Sequence, residues 1–184
     1  KQHLRVDGSD EDTYIGDLIA AARRYLDGRD GRLGRALITQ TWTRTLATWP
    51  REIELVVPPV QAVTSIEYVA PDGSTNTLAP SDYRVRGLNT IHPATVAPAD
   101  GTSWPEVADD PEAITVTFTA GYGGAPDDVP EPIRHAILLL VADWYDKREV
   151  YSLRKMGHIT SVGTEPASVL SLVREVRDWL TFRE

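Results

Sequence analysis

Residues 39–46 read TQTWTRTL, so Thr39, Thr41, Thr43 and Thr45 alternate with Gln40, Trp42, Arg44 and Leu46. A period of two sends alternate side chains to opposite faces of a pleated strand, and the β-branched threonines favour that conformation over a helix. The segment before it has another period. Tyr14, Leu18, Ala21 and Tyr25 recur at helical spacing, as do Ile15, Ile19, Ala22 and Leu26, which gives a broad apolar face. The helical period returns with Ile133, Ile137, Leu140, Val141 and Trp144. Strands are therefore grouped between helices and do not alternate with them, which argues against a doubly wound parallel sheet. The expected fold class is α+β: a helical bundle formed by the N- and C-terminal helices, with an inserted antiparallel β-sheet region.

Four regions follow from this pattern. Residues 1–35 hold the first helix, with Ser9 or Asp10 as its cap and Gly28 at its end. Residues 36–120 form the inserted β region, with strands expected near 36–49, 52–57, 63–69, 83–86 and 113–119. PDGS at 71–74 marks a turn. Residues 87–112 carry four prolines and little periodicity, and predict a long surface loop anchored by Trp104. Residues 121–149 supply the main helix, with Asp128 and Glu131 spaced as a capping box and Pro130 in the first turn. Residues 150–184 read as a flexible arm to 165, then an amphipathic helix from Pro166 to Leu180. Its apolar side is Val169, Leu172, Val173, Val176 and Leu180.

Candidate chemistry is sparse. The turn AGYGGAPDD at 120–128 places glycines ahead of a helix, where backbone N–H groups can cradle phosphate. It lacks both the spacing of a dinucleotide fingerprint and the Lys-Ser/Thr of a P-loop. Asp127 and Asp128 put negative charge where a phosphate needs positive, so the turn reads as a strand-to-helix hinge. His3, His92, His135 and His158 show no metal-ligand spacing, and no G-x-S-x-G elbow occurs. The absence of cysteine removes thiolate metal sites, disulfides and cysteine nucleophiles. The patch around Trp144 and Tyr145 has two readings: a helix end with an Asp143–Lys147 ion pair, or an anchor for a protein interface. No catalytic, metal or cofactor site is expected.

Nineteen Lys and Arg against 27 Asp and Glu give a net charge of −8. A free-standing duplex-DNA binder carries a basic stripe. Here Arg23, Arg24, Arg29, Arg32 and Arg35 come nearest, diluted by Asp27 and Asp30. The longest purely apolar run, Ala136 to Ala142, is far short of the ~20 residues of a membrane span. The opening KQHLRVDGSDEDTY has no apolar signal core, so the chain is expected to stay in the cell that makes it.

Four segments carry a resemblance: IAAARRYLDGRDGRLGRALITQTW, LVVPPVQAVTSIEYVAPDGS, SDYRV and ITVTFTAGYGGAPDDVPEPIRHAILLLVADWYDKRE. Together, over residues 10–149 and in this order, they resemble the head–tail connector (adaptor) proteins of tailed bacteriophages and prophage-like gene transfer agents. The resemblance weakens after Glu149. It implies a structural, non-enzymatic protein without cofactors. Such adaptors form a ring, usually of about twelve copies, beneath the portal protein. The ring extends the DNA channel and docks the next tail-side component. The implied partners are the portal, neighbouring copies, a stopper or tail-side connector protein, and double-stranded DNA passing through without specific binding; no membrane is implied. The implied location is the bacterial cytoplasm during assembly, then the connector of the particle. On this reading Val169, Leu172, Val173, Val176 and Leu180, with Trp144 and Tyr145, are candidate portal or subunit contacts. Alternatives are a stopper or tail-completion protein and, more distantly, a small enzyme or a DNA-binding regulator.

The acidic balance predicts only weak, non-specific affinity for duplex DNA at physiological salt, because few phosphates can be neutralised. A sequence-specific nanomolar footprint would contradict it.

Overall fold

The computed structural model describes residues 1–147 together with Arg174. The arm expected at 150–165 and the apolar side of the helix expected from Pro166 to Leu180 lie outside the described residues. The chain divides into two units, one made of residues 1–33 and 129–184, the other of residues 34–128.

The first unit holds two packed helices, α1 (Asp12–Leu26) and α2 (Glu131–Asp146), with a short 3-10 turn at Gln2–Leu4. α1 buries Ile15, Ala22 and Leu26; α2 buries Ile133, Ala136, Leu140 and Val141. Among the described residues the helical part is this pair, which falls short of the expected bundle. The caps also differ from expectation. The residue before α1 is Glu11, without a side-chain cap; Ser9 contributes its backbone carbonyl to the N–H of Asp12 at 3.2 Å. α2 starts after Pro130 with no capping box. Its second residue, Pro132, lacks an N–H, and the Pro130 carbonyl takes the N–H groups of Ile133 and Arg134 at 3.0 and 3.2 Å. A first turn satisfied by backbone and proline leaves a side-chain cap little to do.

The second unit holds seven strands: β1 (Gln40–Leu46), β2 (Ile53–Leu55), β3 (Val60–Val69), β4 (Thr75–Thr77), β5 (Tyr83–Arg86), β6 (Ala94–Pro98) and β7 (Ile114–Ala120). They form two antiparallel sheets in place of one, ordered β1-β7-β3-β4 and β2-β6-β5. The PDGS turn joins β3 to β4. There Asp72 Oδ1 accepts from the Ser74 hydroxyl at 2.6 Å and from its N–H at 2.9 Å, which holds the carboxyl below its ordinary pKa. The loop expected over 87–112 contains β6, the centre strand of the small sheet. Its Val96 pairs with both Ile53 and Val85. Pro93 and Pro98 hide this strand from a propensity reading, although Ala94, Val96 and Ala97 are buried. Trp104 does anchor what remains of the loop: it stacks on Trp49 at 4.5 Å and donates Nε1–H to the Pro50 carbonyl at 2.9 Å. The core between the strands is centred on Ile53, Leu55, Ile66, Val96, Ile114 and Val116, all fully buried.

Where β7 ends, the chain passes directly against the entry to β1. Gly121 has φ +136°, and a Cβ there would lie 2.5 Å from Ile38 C and Thr39 N. Its N–H donates to Pro59 O at 2.9 Å. Tyr122 N–H donates to Leu37 O at 3.2 Å, and Thr39 N–H to Gly123 O at 2.8 Å. Gln61 Nε2 closes the cluster, donating to Gly121 O at 2.8 Å and Thr39 Oγ1 at 2.9 Å. Only glycine tolerates this approach and this φ together. Gly121→Ala is therefore expected to cost roughly 2–5 kcal/mol, from overpacking plus backbone strain. Gly124→Ala, with open space around the added methyl, should stay within about 0.5 kcal/mol. Urea unfolding of both variants measures the contrast; equal midpoints would remove the close approach as a determinant of the fold.

Candidate functional site

The glycine turn is the first place a ligand could sit. Asp128 Oδ2 accepts the N–H of Ala125 at 2.8 Å, closing the 3-10 turn Pro126–Asp128 on itself. A Cβ on Gly123 would come within 2.1 Å of the same oxygen. The carboxylate thus lies flat against the glycine backbone and fills the space that an anion would take. A side chain at position 123 would collide with Asp128, and backbone hydrogen bonds tie the turn to 37–39 and to Pro59.

The arginine series does not form one surface. Arg35 is buried, the sole charged residue so placed among the described residues, and donates from a guanidinium nitrogen to the Tyr122 hydroxyl at 3.1 Å. It braces the same turn from within the second unit. Nothing in the local sequence separated it from its exposed neighbours. In the first unit Arg32 lies over the Tyr25 ring, 5.5 Å from its centre, and donates Nε–H to the Tyr25 hydroxyl at 2.9 Å. The rings of His3 and His135 meet edge-on with centres 6.5 Å apart. Among the described residues no group of three His, Cys, Asp or Glu could hold a metal ion.

Trp144 and Tyr145 are half-buried and engaged within the first unit. Trp144 meets Tyr25 edge-on at 6.1 Å between centres, Tyr145 tilts against Tyr14 at 6.2 Å, and the Tyr145 hydroxyl donates to the Glu11 carboxylate. Lys147 Nζ pairs with Asp143 at 2.8 Å, as the spacing predicts. These aromatics lock α1 to α2. The remaining interface candidates, Val169, Leu172, Val173, Val176 and Leu180, lie outside the described residues.

One open cleft of about 450 Å³ occurs in the second unit, lined by Arg51, Glu52, Arg84, Asp100 and Trp104 among others. Arg84 and Asp100 form an ion pair there, and the Thr102 hydroxyl is spent on the Ala99 carbonyl at 2.7 Å. The charges of Arg51, Glu52, Arg84 and Asp100 sum to zero, and no histidine lines the cleft to serve a hydroxyl as base. A nucleophile needs such a base within hydrogen-bond reach.

Comparison with solved structures finds the same fold. A chain from the neck of an empty gene transfer agent (GTA) particle, computed with C6 symmetry, superposes with a TM-score of 0.69 at 24% identity, over 95% of this chain and 84% of that one. A chain from the virion of a native GTA particle gives 0.68 at 23% identity, over 94% and 84%. A chain from the neck of a native GTA particle, computed with C12 symmetry, gives 0.59 at 23% identity, over 89% and 79%. At these identities the likeness establishes the fold. The family described as phosphoribosylaminoimidazole carboxylase C-terminal domain matches residues 138–171. That stretch takes in the latter part of α2 and leaves both sheets outside it. No curated protein matches the chain.

With Asp128 seated on the glycine turn, titration calorimetry with ATP or NAD should give no heat of binding. Micromolar affinity for either would overturn the structural role of the turn.

Proposed function

We propose that the chain is a structural adaptor of the head–tail connector in a tailed phage or gene transfer agent particle. The observation that carries this reading is the fold shared with GTA neck chains over most of both lengths, at TM-scores up to 0.69. The sequence resemblance over residues 10–149 points the same way. About twelve copies would form a ring below the portal, in keeping with the twelvefold symmetry of the native neck. The ring extends the DNA channel and docks a stopper or tail-side protein. An acidic chain suits such a conduit: with a net charge of −8 it neutralises few phosphates, so DNA passes without sticking. The protein acts without catalysis or cofactor. It works first in the host cytoplasm and then in the finished particle.

The alternative within the same connector is a stopper or tail-completion component. The mass of the complex formed with portal separates the two, since an adaptor binds portal directly and a stopper binds the layer below it. Removing the chain from a producing strain should leave DNA-filled heads without tails; tailed particles made without it would exclude both readings.

In this proposal the side Val169, Leu172, Val173, Val176 and Leu180 docks on the portal or a neighbouring copy. Trp144 and Tyr145 hold the helix pair from which that segment departs. Anchors at i, i+3, i+4 and i+7 are what a helix laid in a groove uses. Val173→Asp should keep the parent's unfolding midpoint and lose attachment of tails to filled heads. A loss of several kcal/mol in denaturant, as for a charge forced into a core, would instead place the segment in the subunit's own fold.

A further inference from the structure

The open cleft of the second unit holds an arginine whose donors are only partly used. Arg84, on β5, gives Nη1 to the Asp100 carboxylate. Its Nε–H is buried and has no acceptor among the described residues, and Nη2 makes no hydrogen bond among them. Buried donors are nearly always paired, so this one calls for an acceptor. Nε and Nη2 form one edge of the planar guanidinium, a fork whose spacing matches the two oxygens of a carboxylate. The group on Nη1 is itself loosely held. The Asp100 side chain is 89% exposed and that of Arg84 38%, and pairs so exposed contribute little. Asp100 also lies in a turn whose next residue, Gly101, has φ +82° and open space around it.

We propose that the free edge of Arg84 binds a carboxylate presented by a peptide segment of a partner protein: an aspartate or glutamate set among small or apolar residues. The cleft, about 450 Å³, is large enough to take a few residues of such a segment. Trp104 gives it a fixed wall, since its ring is stacked on Trp49 and its Nε1–H is bonded to the Pro50 carbonyl. A preorganised tryptophan beside an arginine is the composition of an interface hot spot. Charge favours a single carboxylate over a phosphate. A dianion would meet both Glu52 and Asp100, whereas one negative charge is matched by Arg51, which is exposed and forms no ion pair among the described residues. The group already on Nη1 points to a peptide and not to a free acid. Asp100 is a side-chain carboxylate carried on a turn that lines the cleft, so a partner's segment would repeat a contact that the fold makes with its own chain. The site stands on this chemistry and not on the connector role.

The full-length protein, isotopically labelled, is titrated with acetyl-Ala-Glu-Ala-amide while the Arg84 Nε–H and Trp104 indole N–H signals are followed by nuclear magnetic resonance. The expected result is saturating movement of both signals, and none with acetyl-Ala-Gln-Ala-amide. Arg84→Lys keeps the charge and loses the fork, so it should weaken the affinity roughly tenfold at an unchanged urea midpoint. Asp100→Asn removes a competing negative charge at an exposed position and should tighten the affinity about two- to fivefold. No saturation, or an equal response to the glutamine peptide, overturns the proposal. So does Asp100→Asn without tightening, which returns Arg84 and Asp100 to an ordinary surface pair. Succinate bound as tightly as the peptide assigns the cleft to a free acid, and inorganic phosphate bound more tightly assigns it to a phosphate; either result sinks the peptide reading. None of these outcomes bears on the connector role, which is read from tails on filled heads.

Discussion

The backbone crossing at Gly121 is the constraint on which the second unit rests. Three stretches far apart in sequence, 37–39, 59–61 and 121–123, meet there through backbone hydrogen bonds and the Gln61 amide. The crossing sits at one end of all three long strands, because Gln40, Ala120 and Val60 are register partners. A one-residue slip at this point would turn Ile114, Val116 and Phe118 from core to solvent and bring their threonine neighbours inward. The Cβ-free backbone of Gly121, the Arg35–Tyr122 bond and the Asp128 carboxylate over Gly123 all serve to hold that register.

How much of this was legible in the sequence depended on whether a local signal existed. The strands β1 and β7 were plain because each alternates threonine with other residues over seven positions. α1 and α2 were equally plain from period alone. β6 was not, because five residues that follow one proline and end on another give no period, and its strand character comes from pairing with β2 and β5 on either side. β4 is three residues long and exists because the Asp72–Ser74 turn folds it back on β3. The caps misled for a related reason. Asp128 and Glu131 have the spacing of a box, but the carboxylate is committed to Ala125. Choice among several available donors is decided by tertiary placement and not by spacing.

The candidate site was legible mainly as exclusion. The absence of cysteine removed thiolate chemistry, and the acidic balance argued against a DNA reader. What the residues could not reveal was destination. Trp144 and Tyr145 carry the same signature whether they anchor a partner or their own helix pair, and their ring contacts with Tyr25 and Tyr14 are visible only in the structure. Arg35 gave no warning of burial, because its tyrosine partner lies 87 residues away.

The insertion of the sheets between α1 and α2 has a bearing on how the chain comes to be folded. α1 is complete at Leu26, yet its partner does not begin until Glu131. Closing so long a loop for one helix contact is entropically unfavourable and slow. The crossing at Gly121 changes the problem. Once residues 34–128 fold, 37–39 and 121–123 are held side by side, and the stretches leading to the two helices are tethered a few residues from that point. The loop to be closed then shrinks from about a hundred residues to a short span on each side. On the ribosome α1 emerges well before α2, so the face it turns to that partner waits while the sheets form, and the middle of the gene governs when the two helices can meet.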